Sequence, residues 1–548
     1  MISVDAMEWF ALIEHVILTV FMISLVSVFV SEGWPGIARI TLIFLKTLPG
    51  FQHTVDMFVK REVNDFVKQL REEGGKSKKE LEKTPPRVTL PEKGISADIL
   101  REEMTKINKN KIKTDAGKIF ALVYTMDDDN FKLQKDAYDM FTQKSGVSVK
   151  HDALVKEFHH AFMHENALNP MMFPSLRRFE TEIVSMCADM LNGDEKVVGS
   201  LTSGGTESIL MAVKTYRDRA RKLYPDIVHP EMVAPITIHP AFEKAAHYFN
   251  LTIVHVPIDD DFRVNVDKYK QAVTKNTVAL LASATQYCHG VVDPIEEIAA
   301  IATETGIPFH VDACFGGFML PWVEKLGYPV PKFDFRLDGV TSMSADLHKY
   351  GYTSKGSSVV LYRNAEIRKY QIFAYGGWPG GLFGSPSMAG TRPGGNIAAS
   401  WVALRHLGKD GYLKMAKSLM KITKKLTDGI KKIPGLKILG DPSMTCFAIA
   451  ASDPSLDLLA VADVMETKGW KMERQQFPTS IHCTILPQHL SIADQLLADF
   501  ADATKKVLNG EVKSLPSASS MYGMLAKIPD KAIVNDVIVE FFSEIYKQ

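Results

Sequence analysis

The chain has 548 residues, 46% of them hydrophobic, and carries 64 basic and 64 acidic side chains. Such a composition builds a deep core and at least two packed regions, and it excludes a disordered or low-complexity protein. A balanced charge removes the whole-molecule field that draws proteins to nucleic acid, so an anionic ligand must be captured locally. The cysteines, Cys187, Cys288, Cys314, Cys446 and Cys483, are scattered without CxxC or Cys/His spacing. That pattern argues against a disulfide framework or structural zinc and for a reducing compartment.

In chain order, the first eight residues are followed by an almost continuous apolar run, Trp9 to Val30, broken only by Glu14 and His15. Its roughly 20 residues suit one bilayer crossing. The leading residues hold Asp5 and Glu8 and no lysine or arginine, unlike a cleaved signal peptide. Arg39, Lys46, Lys60 and Arg61 follow the run, which predicts a lumenal N-terminus and a cytosolic body. The alternative is a buried amphipathic arm used in dimerisation. Residues 31–94 read as a juxtamembrane segment and linker, because Arg71 to Gly94 is dense in lysine and glutamate and contains Pro85, Pro86 and Pro91.

The body is expected to begin near Ile95, with an N-terminal arm to residue 150 and a large domain over 151–395. Short apolar runs at Val233 to Ile238, Ile253 to Val256, Val278 to Ser283, Phe309 to Val311 and Val359 to Tyr362 alternate with helical patterns. That alternation predicts an α/β architecture with a largely parallel sheet. From residue 396 the pattern changes to amphipathic helices, such as Ser491 to Leu508, mixed with short strands, which predicts a smaller C-terminal α+β domain.

Three segments carry chemistry. Thr202 to Ser208, TSGGTES, precedes the helical pattern Ile209 to Arg221; glycines and hydroxyls at a helix start present unpaired N–H groups and the positive dipole end to an anion. By itself this is as consistent with a plain turn. His310 to Gly317, HVDACFGG, puts Asp312 at the carboxyl end of a strand, where ligands of open α/β sheets bind and a carboxylate can hold a protonated ring nitrogen. A cap or turn aspartate is the bland reading. Ser344 to Gly351, SADLHKYG, places Lys349 after a buried-looking strand between His348 and Tyr350, a setting expected to lower its pKa for imine chemistry.

Taken together, the order and spacing of these segments resemble the group II decarboxylase branch of the fold-type I, aspartate-aminotransferase-like pyridoxal-5′-phosphate (PLP) enzymes. Longer pieces resemble the sphingosine-1-phosphate lyases: TSGGTESILMAVKTYRDRA, HVDACFGGFMLPW, HKYGYTSKGSSVVLYR, GGWPGGLFGSPSMAGTRPGG and the late YGM at Tyr522. The resemblance implies a PLP aldehyde-lyase that cleaves the C2–C3 bond of phosphorylated sphingoid bases on the endoplasmic reticulum membrane. It implies that Lys349 holds the cofactor, Asp312 its ring nitrogen, Gly205 and Thr206 its phosphate, and that Ala313 lines its site. His239 matches a stacking histidine.

The same resemblance assigns Tyr124 and Lys355 to the substrate, with Lys355 holding its phosphate or moving a proton; an ordinary loop lysine and a core tyrosine are the alternatives. Lys349, Lys355 and His348 all stand as possible general bases. Gly384 and Ser385 are read in a glycine-rich loop whose amides face a phosphate across a homodimer interface, and Arg392 as fixing that loop or meeting an anion.

Two segments depart from the family pattern. Asn166 is retained, but Asn169 stands where a substrate-phosphate histidine is expected, and Cys288 interrupts a phenylalanine-proline-histidine-glycine run. Asparagine hydrogen-bonds a phosphate without adding positive charge. Two other readings therefore remain: an L-amino-acid decarboxylase and a membrane-tethered pseudoenzyme or binding protein.

Overall fold

The computed structural model describes residues 88–108 and 151–512, apart from 471, 487, 488, 490 and 491, together with five positions beyond 534. The apolar run at 9–30, Tyr124 and Tyr522 lie outside the described residues. Among the described residues no helix is long and apolar enough to cross a membrane.

The central sheet has seven strands: β1 (Val198–Thr202), β2 (Glu231–Pro235), β3 (Thr252–Val256), β4 (Thr277–Ser283), β5 (Phe309–Asp312), β6 (Val340–Ala345) and β7 (Ser358–Tyr362), in the order β1-β7-β6-β5-β4-β2-β3. All seven residues of β4 are buried, as are all five of β7, because helices cover both faces. Near-continuous apolar runs were therefore strand signals despite the lack of alternation.

The sheet is largely parallel, as expected, with one strand reversed: β7 is antiparallel to both β6 and β1. The chain returns from β6 to β7 through residues 346–357 with no helix between them. Parallel pairing would need a crossover, usually helical. The tight return instead leaves Lys349 at the carboxyl edge of the sheet.

The expected strand Val233 to Ile238 also ends early, at Pro235. The Ile236 amide still donates to the Val256 carbonyl at 3.0 Å, but Ile238 turns back on the Pro235 carbonyl at 3.1 Å. This bend delivers His239 to the start of the helix Ala241–Phe249.

A second, wholly antiparallel sheet holds β10 (Leu436–Ile438), β11 (Cys446–Ala451), β12 (Glu473–Gln475) and β13 (Ser480–Thr484) in the order β10-β11-β13-β12. The helix Ala493–Leu508, which starts two residues later than its sequence pattern, buries Phe500 completely. Residues 394 to 430 form one long helix broken at Gly408, whose φ of 61° suits a residue without a side chain. A Cβ at Gly408 would lie 2.7 Å from the Gly94 amide nitrogen, so glycine is also required by the close passage of the arm.

The glycine-rich stretch expected as a loop is a hairpin, β8 (Phe373–Trp378) paired with β9 (Gly381–Ser385). Phe373 and Phe383 pack across it with ring centroids 6.2 Å apart, supplying the cross-strand contact that organises a glycine-rich sequence.

Candidate active site

Lys349, Asp312 and the glycine-rich turn converge at the carboxyl edge of β1, β5 and β6. The Lys349 ammonium lies 3.0 Å from Asp346 Oδ2 and 5.4 Å from the centroid of the Phe315 ring. Asp346 is almost wholly buried, and its Oδ1 has no hydrogen-bond partner among the described residues. Sequence reading passed over it, although its position three residues before a lysine was a usable signal.

The lysine does not have the lowered pKa expected of it. Burial pushes the ammonium down, but the charge of Asp346, followed by Cys314, the Asp346 hydrogen bond and Asp312, holds it above the ordinary lysine value. The neighbour of consequence is the carboxylate, not His348 or Tyr350.

Asp312 Oδ1 accepts from the Cys314 amide and from Ser344 Oγ, each at 3.0 Å. Burial opposes its ionisation, yet His239, the Cys314 hydrogen bonds and His310 bring its pKa below the usual carboxylate value. The Ala313 amide donates to the Ser344 carbonyl at 3.0 Å, pinning the chain just past the carboxylate. His239 Nδ1 accepts the Ala241 amide at 3.1 Å, which leaves Nε2 as the ring nitrogen that carries a proton.

The helix Gly205–Leu223 begins in the turn with no side-chain cap. Ser203 gives its amide to Glu207 at 2.7 Å, while the following amides at Gly204, Gly205 and Thr206 lie at the helix start. Gly205 is required by space: a Cβ would lie 2.8 Å from both Asp346 Oδ2 and Cys314 Sγ. An uncapped helix start, an ionised carboxylate and a primary amine on one sheet edge fit a phosphorylated, ring-nitrogen-bearing aldehyde.

Other sequence candidates have definite places. His348 Nδ1 accepts the Ser357 amide at 3.3 Å and its Nε2 lies 3.6 Å from Asp346; burial lowers its pKa. Exposed Lys355 reaches the His348 carbonyl at 3.4 Å.

Asn166 Oδ1 accepts from the Leu168 and Arg392 amides, at 3.0 and 3.1 Å, and so ties the chain before Pro174 to the segment after the hairpin. Asn169 Oδ1 accepts the Met172 amide at 3.1 Å, making a turn that leads into the helix Pro174–Met190. Arg392 grips Glu180 with two bonds of 2.7 and 3.0 Å. Of the two roles considered for Arg392, the geometry supplies loop fixing.

Gly384 is exposed within β9, and buried Ser385 donates to the Ser387 and Ala389 carbonyls. Cys288 is a partly buried thiol whose pKa burial raises.

The model of the pyridoxal-dependent decarboxylase conserved domain matches residues 134–450. A sphingosine-1-phosphate lyase from Dictyostelium discoideum is 40% identical over 491 residues, covering 88% of this chain and 87% of that protein. The solved structure of a sphingosine-1-phosphate lyase from Burkholderia pseudomallei is 37% identical, with a TM-score of 0.64, over 76% of this chain and all of that one. A glutamate decarboxylase from Lactobacillus brevis, 21% identical with a TM-score of 0.58 over 66% of this chain and 86% of its own, shares the fold. The fold is thus the fold-type I, aminotransferase-like one, the cofactor is PLP, and the chain belongs to the sphingosine-1-phosphate lyase family of pyridoxal-dependent enzymes.

Proposed function

We propose that the chain cleaves the C2–C3 bond of phosphorylated sphingoid bases, releasing a long-chain aldehyde and phosphoethanolamine. The observation that carries this reading is the meeting of Lys349, Asp346 and Asp312 at one sheet edge in a chain 40% identical to a sphingosine-1-phosphate lyase over most of its length. PLP, when bound, supplies an electron sink next to the substrate amine. The protein's part is to place and charge that sink.

In this reading Lys349 attaches the cofactor, and Asp346 receives the lysine's ammonium whenever it is displaced. Asp312 keeps the ring nitrogen protonated, His239 covers the ring, Ala313 lines its edge, and the amides from Gly204 to Thr206 take the phosphate. His348 and Lys355, adjacent through the bond from Lys355 Nζ to the His348 carbonyl, are the residues to which this reading gives proton transfer or substrate-phosphate binding. Asn166 and Asn169 shape the neighbouring turn; Tyr124 keeps its proposed substrate role from sequence alone.

Homodimerisation is part of the proposal. The hairpin exposes Phe373, Tyr375 and Trp378, each more than half, and Leu382 at 92%. Such an apolar protrusion is covered by a second copy, which brings Gly384 and Ser385 toward the partner's site. The apolar run at 9–30 and the basic residues after it support a single-pass anchor in the endoplasmic reticulum membrane, with the body cytosolic.

The test is aldehyde release from a labelled sphingoid-base phosphate by purified protein with PLP, beside Lys349→Ala. Product from the unaltered protein alone is expected. Carbon dioxide from an L-amino acid would replace this reading by a decarboxylase, and cofactor binding without either product by a pseudoenzyme.

A further inference from the structure

Behind Asp312 the sheet buries a line of hydrogen-bonding side chains. In the register of β5 and β6, His310 lies opposite Ser342 and Asp312 opposite Ser344, so the period of two brings all four to one face. Ser344 Oγ is 3.0 Å from Asp312 Oδ1, His310 Nε2 is 3.3 Å from Ser344 Oγ, and Ser342 Oγ is 2.7 Å from His310 Nδ1. Tyr216, from the helix that starts at the glycine-rich turn, brings its hydroxyl against Ser342 Oγ. Ser342, His310 and Ser344 are 0% exposed and Tyr216 is 1% exposed, which leaves bulk water no access.

The polarity of this line follows from its end. An ionised carboxylate only accepts, so the Ser344 hydroxyl must donate to Asp312. Ser344 has one proton, and its oxygen therefore accepts from His310 Nε2–H. Burial pushes the His310 pKa down to about 4, so the ring is neutral and carries a single N–H; Nδ1 is then bare and accepts from Ser342. The Ser342 oxygen in turn faces the Tyr216 hydroxyl, which also lies 2.8 Å from Thr341 Oγ1 and whose pKa burial raises to about 12. With the opposite tautomer a bare Nε2 would face the Ser344 oxygen at 3.3 Å with no hydrogen between them, because the one Ser344 proton goes to Asp312, leaving a buried and unsatisfied contact.

We propose that Tyr216, Ser342, His310 and Ser344 are positioning residues forming a one-way hydrogen-bond chain that keeps Asp312 ionised and so keeps the proton on the cofactor's ring nitrogen. The physical ground is cooperative: in a low-dielectric interior each aligned donor polarises the next, and their summed dipole points at the carboxylate. A carboxylate so supplied is a weaker base, and the shared proton stays on nitrogen. The nearby Cys314 amide acts on the same oxygen, Oδ1.

Two measurements test this without relying on turnover. In cofactor-free protein labelled with nitrogen-15 histidine, the His310 signals, assigned by their loss in His310→Gln, should show Nε2 protonated and Nδ1 bare; the reverse tautomer overturns the chain. In holoenzyme carrying ring-labelled PLP, Ser344→Ala should move the ring-nitrogen shift toward the neutral pyridine range and weaken cofactor binding roughly tenfold or more, as expected for a lost hydrogen bond to a charged group. Ser344→Thr, which keeps the hydroxyl, should restore both. A folded Ser344→Ala with the native nitrogen shift and affinity would reduce these residues to mutual satisfaction of buried polar groups and sink the proposal. Should Ser344→Ala not fold, Tyr216→Phe must give a smaller shift in the same direction, and its absence counts against the chain equally.

Discussion

Asp346 governs the ionisation of Lys349, three residues away. With the carboxylate 3.0 Å from the ammonium, the free lysine is held protonated above its ordinary pKa, against the pull of burial. Replacing the charge while keeping the shape, Asp346→Asn, leaves burial as the largest influence. The Lys349 pKa should therefore fall, and pH-dependent competitive acylation of cofactor-free protein, read by mass spectrometry, should show greater Lys349 reactivity near neutrality. An unchanged profile would remove Asp346 from the role of counter-ion. Lys349→Ala should abolish borohydride fixation of the cofactor to the chain and cut turnover by at least about a thousandfold. The two variants separate attachment from the electrostatics that prepare it.

The elements around the site are tied by a few nearly buried polar contacts. Glu180, on the helix Pro174–Met190, accepts from the Leu201 amide at 2.9 Å and pairs with Arg392 at 2.7 Å, joining that helix, β1 and the segment after the hairpin. Both side chains are at most 15% exposed, so Glu180→Ala leaves a buried guanidinium unpaired. A loss of about 3 kcal/mol in chemical unfolding is expected, within the usual range for breaking a buried pair. Glu207 makes a second tie, from the Ser203 amide to the Met388 amide at 3.0 Å, linking the glycine-rich turn to the end of the hairpin. Nothing local in the sequence marks these pairs, because their partners are up to 212 residues apart.

At the scale of the whole molecule, two properties follow from burial. Asp293 is desolvated at the end of β4, where it accepts the Ser283 amide at 2.8 Å, and its pKa is pushed up to about 7. A folded-state pKa above the unfolded one binds protons preferentially in the fold. Its stabilising contribution is full below the ordinary carboxylate range and is lost as pH rises through about 7. The melting temperature should fall between pH 5 and 8 in the native protein and fall less in Asp293→Asn. The exposed hairpin predicts the second property: Trp378→Ser with Leu382→Ser should shift sedimentation toward monomer without altering the monomer's helical signal, whereas an unchanged dimer would place the interface elsewhere.

The alternation of apolar runs and helical patterns was enough to read an α/β body. Resemblance of its motifs to a known family was what named Lys349, Asp312, Gly205 and His239 as candidates, and covalent attachment, ring-nitrogen binding and phosphate binding are chemistries that need such residue types at strand and helix ends. Local sequence could not reveal that β7 runs backwards, that a glycine-rich stretch is a hairpin, or that Lys349 faces Asp346. Strand direction depends on the whole return path, and a pKa depends on through-space charge and desolvation. The identity of each chemical group was therefore written in the sequence, while its proton affinity and its partners were decided only when distant strands brought them within hydrogen-bonding distance.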